Sequence, residues 1–275
     1  MEIPSQSRLI FITIIRTLAS LPDVREEVIR NYEDNLWWPK DVSDWRLRMV
    51  IAGWGNRVSY NMIETYRKVI TQAIKLGYDR LCEQSDSEMT QLLQPIGLYQ
   101  QRLQYFRNIT VFIHMLEQKS ITPQDKPNDE LILEIAQQVK GASYKVAQCA
   151  ALYLKGYHCG IIPVDSGLKD MLGPCIGFKL PKGPIAHEVM RKLVESIIRE
   201  QPEQYYQLAR GTGYGYIVNS PPPTWWVHLV LVYFKRLYCN QKAPQNCPLR
   251  QHPTIEEIIG TMCSRTSPFK GRPLF

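Results

Sequence analysis

A chain of 275 residues can bury one large core or two modest ones. Apolar content of 44% and charged content of 21% are those of an ordinary globular protein, which excludes a low-complexity or disordered chain. The net charge of +7 favours a polyanionic partner. Leu9 to Ile15 and Val227 to Phe234 are apolar but too short to span a bilayer, so no membrane role is expected. Seven cysteines, odd in number and irregularly spaced, do not suggest a secreted disulfide framework. The start, Met1-Glu2-Ile3-Pro4, lacks the basic stretch of a signal peptide, and Arg16 interrupts the early apolar run. A reducing, intracellular compartment is the expectation.

Helical periodicity dominates and strand signals are weak, which predicts an all-α chain. In chain order the pattern predicts helices over Arg8–Leu18, Asp44–Trp54 and Ser59–Ile74, the last with Ile63, Tyr66, Val69, Ile70 and Ala73 on one face. Ser87–Leu93 follows, capped by Asp86 or Ser87. Leu98–Leu116 is long and amphipathic. Asn128 is the expected cap of a helix reaching about Val139, and Gly141 opens a turn. Tyr144–Lys155 is the next helix, closed by Gly156. Ser166–Leu172 is short and stops at Gly173-Pro174. His187–Arg199 and Thr224–Tyr238 complete the set. The loops are marked by Pro181-Lys182-Gly183-Pro184, Gly211-Thr212-Gly213-Tyr214-Gly215 and Pro221-Pro222-Pro223.

The stretch from Val139 to Leu168 carries the functional signal. A tight turn at Val139-Lys140-Gly141-Ala142-Ser143 joins two helices, Lys145 sits at the start of the second, and Val164-Asp165 opens the helix after that. This layout resembles the helix-hairpin-helix core of the DNA glycosylases of the endonuclease III and 8-oxoguanine glycosylase kind. In that family the hairpin reads roughly Leu-Pro-Gly-Val-Gly, then one residue, then a catalytic lysine; a Val-Asp with the catalytic aspartate follows. Lys145 and Asp165 fall on those two positions. The resemblance extends to Val50-Ile51-Ala52-Gly53-Trp54-Gly55-Asn56-Arg57-Val58-Ser59 and to Ile96-Gly97-Leu98-Tyr99, and so covers about residues 46 to 172.

The resemblance implies an all-α, two-domain helix-hairpin-helix DNA glycosylase-like fold with a cleft between the domains. The central domain would be 46–172, with the hairpin motif at about 127–155. Residues 1–45 and 173–275 would form a second helical domain from both termini. The expected partner is double-stranded DNA containing a modified base, bound by a monomer, and no cofactor is expected.

In such a hairpin, backbone N–H groups and the positive end of the following helix bind a phosphate without reading sequence. Lys140, Gly141, Ala142 and Ser143 are the residues expected to do so; Ser143 stands where the family has a second glycine. A fixed carboxylate, Asp165, can stabilise the cation that develops on the sugar as the glycosidic bond breaks. It can equally be the N-cap of the helix from Ser166, or both. Lys145 can attack C1′, expel the base and leave an imine that permits strand cleavage by β-elimination; an amine attacks only in its neutral form.

Trp54 stands where the family places a glutamine that fills the gap left by a flipped base. Its indole is either a wedge of that kind or a core residue. Asn56 and Arg57 suit phosphate contact or the orphan base. The pairs Trp37-Trp38 and Trp225-Trp226 read as core or domain-joint residues, or as lining for a base pocket. Many family members end in four cysteines that hold an iron–sulfur cluster. Here Cys239 and Cys247 match two places loosely, Arg250 stands in the third, and no fourth follows, so no cluster and no metal are expected. A zinc site from Cys239, Cys247, His252 and Cys263 fits no standard spacing.

The leading reading is base excision from DNA. The altered wedge and lost cluster suggest a divergent branch, and bulky modified pyrimidines of bacteriophage DNA, hence a defence role, are the speculative substrate. The rivals are a transferase or processing enzyme acting on hypermodified pyrimidines and a non-catalytic DNA-binding module. Abasic product, an altered but retained base, or simple retardation in a gel separates the three.

Overall fold

Each segment with a 3.6-residue apolar repeat folds as a helix. The computed structural model describes residues 5–32, 41–218, 222–239 and 247–249, and among them all regular structure is helical. In chain order the helices are α1 (Ser5–Ala19), α2 (Pro22–Asn31), α3 (Trp45–Trp54), α4 (Ile63–Leu76), α5 (Tyr78–Glu83), α6 (Asp86–Leu93), α7 (Tyr99–Gln118), α8 (Asn128–Gln138), α9 (Tyr144–Lys155), α10 (Ser166–Asp170), α11 (Ile185–Glu200), α12 (Pro202–Gly211) and α13 (Thr224–Phe234). No helix among the described residues is long and apolar enough to cross a membrane.

The chain divides into two compact units. One is 35–159; the other joins 1–34 to 160–275. This division groups 160–172 with the termini, and Glu195 of α11 accepts the Ile162 N–H at 2.8 Å. Asp165 therefore belongs to the unit built from the termini.

In the 35–159 unit, α9 packs against α3 and α8, and α3 also packs on α7. Every residue of α9 from Val146 to Leu154 is buried. Asp44 caps α3 through the Arg46 N–H. Arg102 of α7 is 3% exposed and, among the described residues, binds only backbone carbonyls: Gly97 at 2.7 Å, Asn56 at 2.9 Å, Ile96 at 3.0 Å, and Trp54. One guanidinium thus ties the end of α3 to the entry of α7. Arg102→Leu leaves those carbonyls unpaired and is expected to cost about 2–4 kcal/mol in urea-melt stability.

In the second unit, α13 is buried almost throughout and packs on α1 and α2. Trp225 donates its indole N–H to the Tyr32 carbonyl at 3.1 Å, and Tyr214 donates its hydroxyl to Ala19 at 3.0 Å. A buried helix of the core thus accounts for the apolar run at Val227 to Phe234.

Three helices lie outside the sequence pattern: α2, α5 and α12. Two of them, α2 and α12, open on proline in the first turn, where its missing N–H costs nothing. The cap of α6 is Ser85, not Asp86 or Ser87; Ser85 and Glu88 form a reciprocal capping box. Asn128 is the first residue of α8 and not its cap. Its side-chain amide donates to the Cys159 carbonyl at 2.8 Å and so ties α8 to the end of the same unit. The helix from Ser166 gives way after Asp170 to a π-helical turn, Met171–Cys175, where Pro174 has no N–H for an α-helical ladder.

Candidate active site

The hairpin between α8 and α9 is closed by the Ala142 N–H, which donates to the Val139 carbonyl at 2.9 Å. Gly141 lies at φ 95°, a left-handed conformation that favours glycine, and its Cα faces the backbone of Tyr105 in α7. Ser143 caps α9: its hydroxyl accepts the Val146 N–H at 3.5 Å. At φ −76° it needs no glycine, so the departure from the family pattern at this position carries no strain. The N–H groups of Gly141, Ser143, Tyr144 and Lys145 have no acceptor among the described residues. Lys140, Gly141 and Ser143 are exposed; Ala142 and Lys145 are half-buried.

Lys145 is the second residue of α9 and has no carboxylate partner among the described residues. A cation there opposes the helix dipole, so the position is not one that helix stability selects. Lysine, free N–H groups and the positive helix end all favour an incoming anion. If the hairpin holds a phosphate, Gly141→Val should weaken binding to all duplexes alike, because such a contact reads no bases. Filter-binding titrations on matched and mismatched duplexes check this, and wild-type affinity should fall steeply with salt. A loss confined to one sequence would contradict the phosphate role.

Trp54 is corrected by the structure. Its side chain is fully buried, with its ring 6.0 Å from Phe106 of α7. A wedge must stand at the surface, so Trp54 is a core residue. The turn that follows presents other groups. Arg57 is exposed and holds φ 58°, unusual for a residue with a side chain. Asn56 is half-buried, and its carbonyl is fastened by Arg102. Trp225 and Trp226 are buried in the second unit; Trp37 and Trp38 lie outside the described residues.

Asp165 sits at the N-terminus of α10. One carboxylate oxygen, Oδ1, accepts the Leu168 N–H at 2.7 Å. The side chain is half-buried, and the second oxygen has no partner among the described residues. Asp165 is thus an N-cap with one oxygen to spare. Four groups near it lay outside the sequence reading. His187 Nδ1 meets the Val164 carbonyl at 2.7 Å. Glu195 is 2% exposed and binds Arg191, itself fully buried, at 2.6 Å. Burial pushes the Glu195 carboxyl up to about 7, against the opposing pull of Arg191 and the Ile162 N–H. Lys235 lies across Gly167: a Cβ there would stand 2.2 Å from its Nζ. The available signal was Glu188, Arg191 and Glu195 at spacings of three and four on the apolar face of α11.

An iron–sulfur cluster does not fit. Cys239 and Cys247 are half-buried. Arg250, His252 and Cys263 lie outside the described residues, but only one cysteine, Cys263, follows Cys247 in the sequence. Four thiolates at cluster spacing are therefore lacking. The anaerobically purified protein should be colourless, with no stoichiometric iron by elemental analysis.

Neither a family model nor a curated protein sequence matches the chain. Among solved structures, a thermostable thymine-DNA glycosylase is similar at a TM-score of 0.56 and 14% identity, over 92% of this chain and 98% of that one. The chain has a DNA glycosylase fold. At that identity the likeness is one of fold, and it agrees with the all-α helix-hairpin-helix architecture that the resemblance implied.

Proposed function

We propose that this protein is a DNA N-glycosylase that flips a modified pyrimidine out of double-stranded DNA and cuts its glycosidic bond. The observation that carries the reading is the hairpin. Gly141 at φ 95° leads into a helix whose first N–H groups are open and whose second residue is Lys145, in a chain with a glycosylase's fold. Lys140 to Ser143 bind a backbone phosphate. Arg57, held outward on a turn that Arg102 fastens, takes over at the surface the contact expected of Trp54. Asp165 offers its spare oxygen to the cation developing at C1′. Lys145 attacks C1′, so base loss is followed by β-elimination. The similar structure is named for thymine, which supports a pyrimidine substrate.

The test is a panel of duplexes with a G·T mismatch, uracil, thymine glycol, 5-hydroxymethyluracil or glucosylated 5-hydroxymethylcytosine. The expected product is an abasic site or a nicked strand from at least one of them. The glucosylated duplex is the arm that tests a defence role against bacteriophage DNA. A retained but altered base would turn the reading to base modification, and retardation without chemistry to a binding module.

A further inference from the structure

The segment that delivers Asp165 is neither helix nor strand, yet Ile161, Ile162 and Val164 are wholly buried. Buried backbone outside regular structure needs hydrogen-bond partners from elsewhere. Two of them come from one face of α11. Glu195 Oε1 accepts the Ile162 N–H at 2.8 Å, and His187 Nδ1 donates to the Val164 carbonyl at 2.7 Å. A carbonyl only accepts, so Nδ1 must carry the proton.

The second bond has a geometric consequence. The Val164 carbonyl and the Asp165 N–H belong to one planar peptide. A hydrogen bond that fixes the carbonyl therefore fixes the plane from which Asp165 departs. The Leu168 N–H on Oδ1 then sets the direction of the carboxylate. Backbone and side chain of Asp165 are each pinned by one bond, and Oδ2 is left aimed by both.

Behind these contacts stands a charged cluster. Arg191, with no exposed surface, binds Glu188 through Nε at 2.9 Å and Nη2 at 2.6 Å, and Glu195 through Nη1 at 2.6 Å. Lys192 and Arg199 approach the same carboxylates from the surface at 3.8 and 3.7 Å. Burying such a cluster costs desolvation, and apolar residues of similar volume commonly stabilise a core as well or better. Stability alone does not account for it. The cluster does hold Glu195 rigidly under the Ile162 N–H.

We propose that His187 and Glu195 are positioning residues for Asp165, with Arg191 and Glu188 fixing the Glu195 side chain. The inference rests on the reading of Asp165 as the group that faces the substrate sugar. It predicts that loosening either bond slows the chemical step and leaves DNA binding intact, because a small misplacement of a catalytic group costs rate and not affinity.

The experiment compares His187→Ala, His187→Asn and Asp165→Asn with wild type. The probe is the duplex of the panel above that wild type processes fastest, followed in single turnover, with Kd for the same duplex and hydrogen exchange across residues 161–170. His187→Ala should slow base release by about ten- to a hundredfold. Its Kd should stay unchanged, and exchange should rise within that segment. His187→Asn places an amide N–H where Nδ1–H stood and should recover most of the rate. If the alanine variant does not fold, His187→Gln, whose longer side chain carries its amide past that place, takes its part. Wild-type rates in these variants beside an inactive Asp165→Asn would overturn the inference and leave the glycosylase reading standing. A fully active Asp165→Asn would overturn both.

Discussion

Asp165→Asn should lower base release by at least about a hundredfold, the scale of a single electrostatic or acid–base group. The substitution is close to isosteric. The asparagine side-chain oxygen can still accept the Leu168 N–H, so the cap of α10 and the fold should survive. What disappears is the negative charge on the spare oxygen. The transition state gains positive charge at the sugar that the ground state lacks, so the loss falls on the chemical step. DNA affinity should hardly change, since the phosphate contact is proposed for the hairpin, which belongs to the other unit. Single-turnover kinetics with saturating enzyme separate the two effects. Undiminished base release would remove the proposed mechanism.

The fold was largely legible because its cores are amphipathic helices. The repeat Ile63, Tyr66, Val69, Ile70 and Ala73 is the buried face of α4. Three helices escaped this reading, although α12 buries Tyr205, Leu208 and Ala209 at helical spacing. Of the three, α5 has six residues, and α2 buries only Val24 and Val28. Trp54 shows where a family pattern and the helical period point apart. The resemblance put it at the wedge, whereas Leu47, Val50, Ile51 and Trp54 fall at the spacing of one buried helix face, and all four are buried. The period was the better guide. Charged residues inside a core are hidden from such reasoning. The spacing of Glu188, Arg191 and Glu195 on α11 hints at pairing, but only the structure reveals their burial and the Ile162 N–H that Glu195 accepts. Lys145 and Asp165, the residues proposed to carry the chemistry, stand out in the sequence as types at a family spacing. The cap role of Asp165 was readable as well; that its second oxygen is to spare, and that the hairpin N–H groups are open, are properties of the fold.

Borohydride should trap wild-type protein on a processed duplex as a covalent complex, and Lys145→Gln should abolish that complex. If the Lys145 amine attacks C1′, the base leaves and an imine joins Nζ to the sugar. Hydride adds to that imine and makes the link permanent. Glutamine keeps the length and polarity of the side chain but has no nucleophilic amine. It also removes a cation from the second residue of α9, where the helix dipole is unfavourable to it, so the folded state should be no less stable. A drop in melting temperature is therefore not expected, and loss of the trapped band would report on chemistry. Binding to intact duplex should weaken modestly, as one cation near the phosphate is gone, with a correspondingly shallower salt dependence. The comparison with Asp165→Asn is the decisive one. That variant retains the amine and should still trap protein on a duplex that already carries an abasic site, because no base has to leave. Lys145→Gln should fail on the same duplex. A wild-type preparation that releases base but never yields a trapped band would make water the nucleophile and Lys145 a group that only positions it.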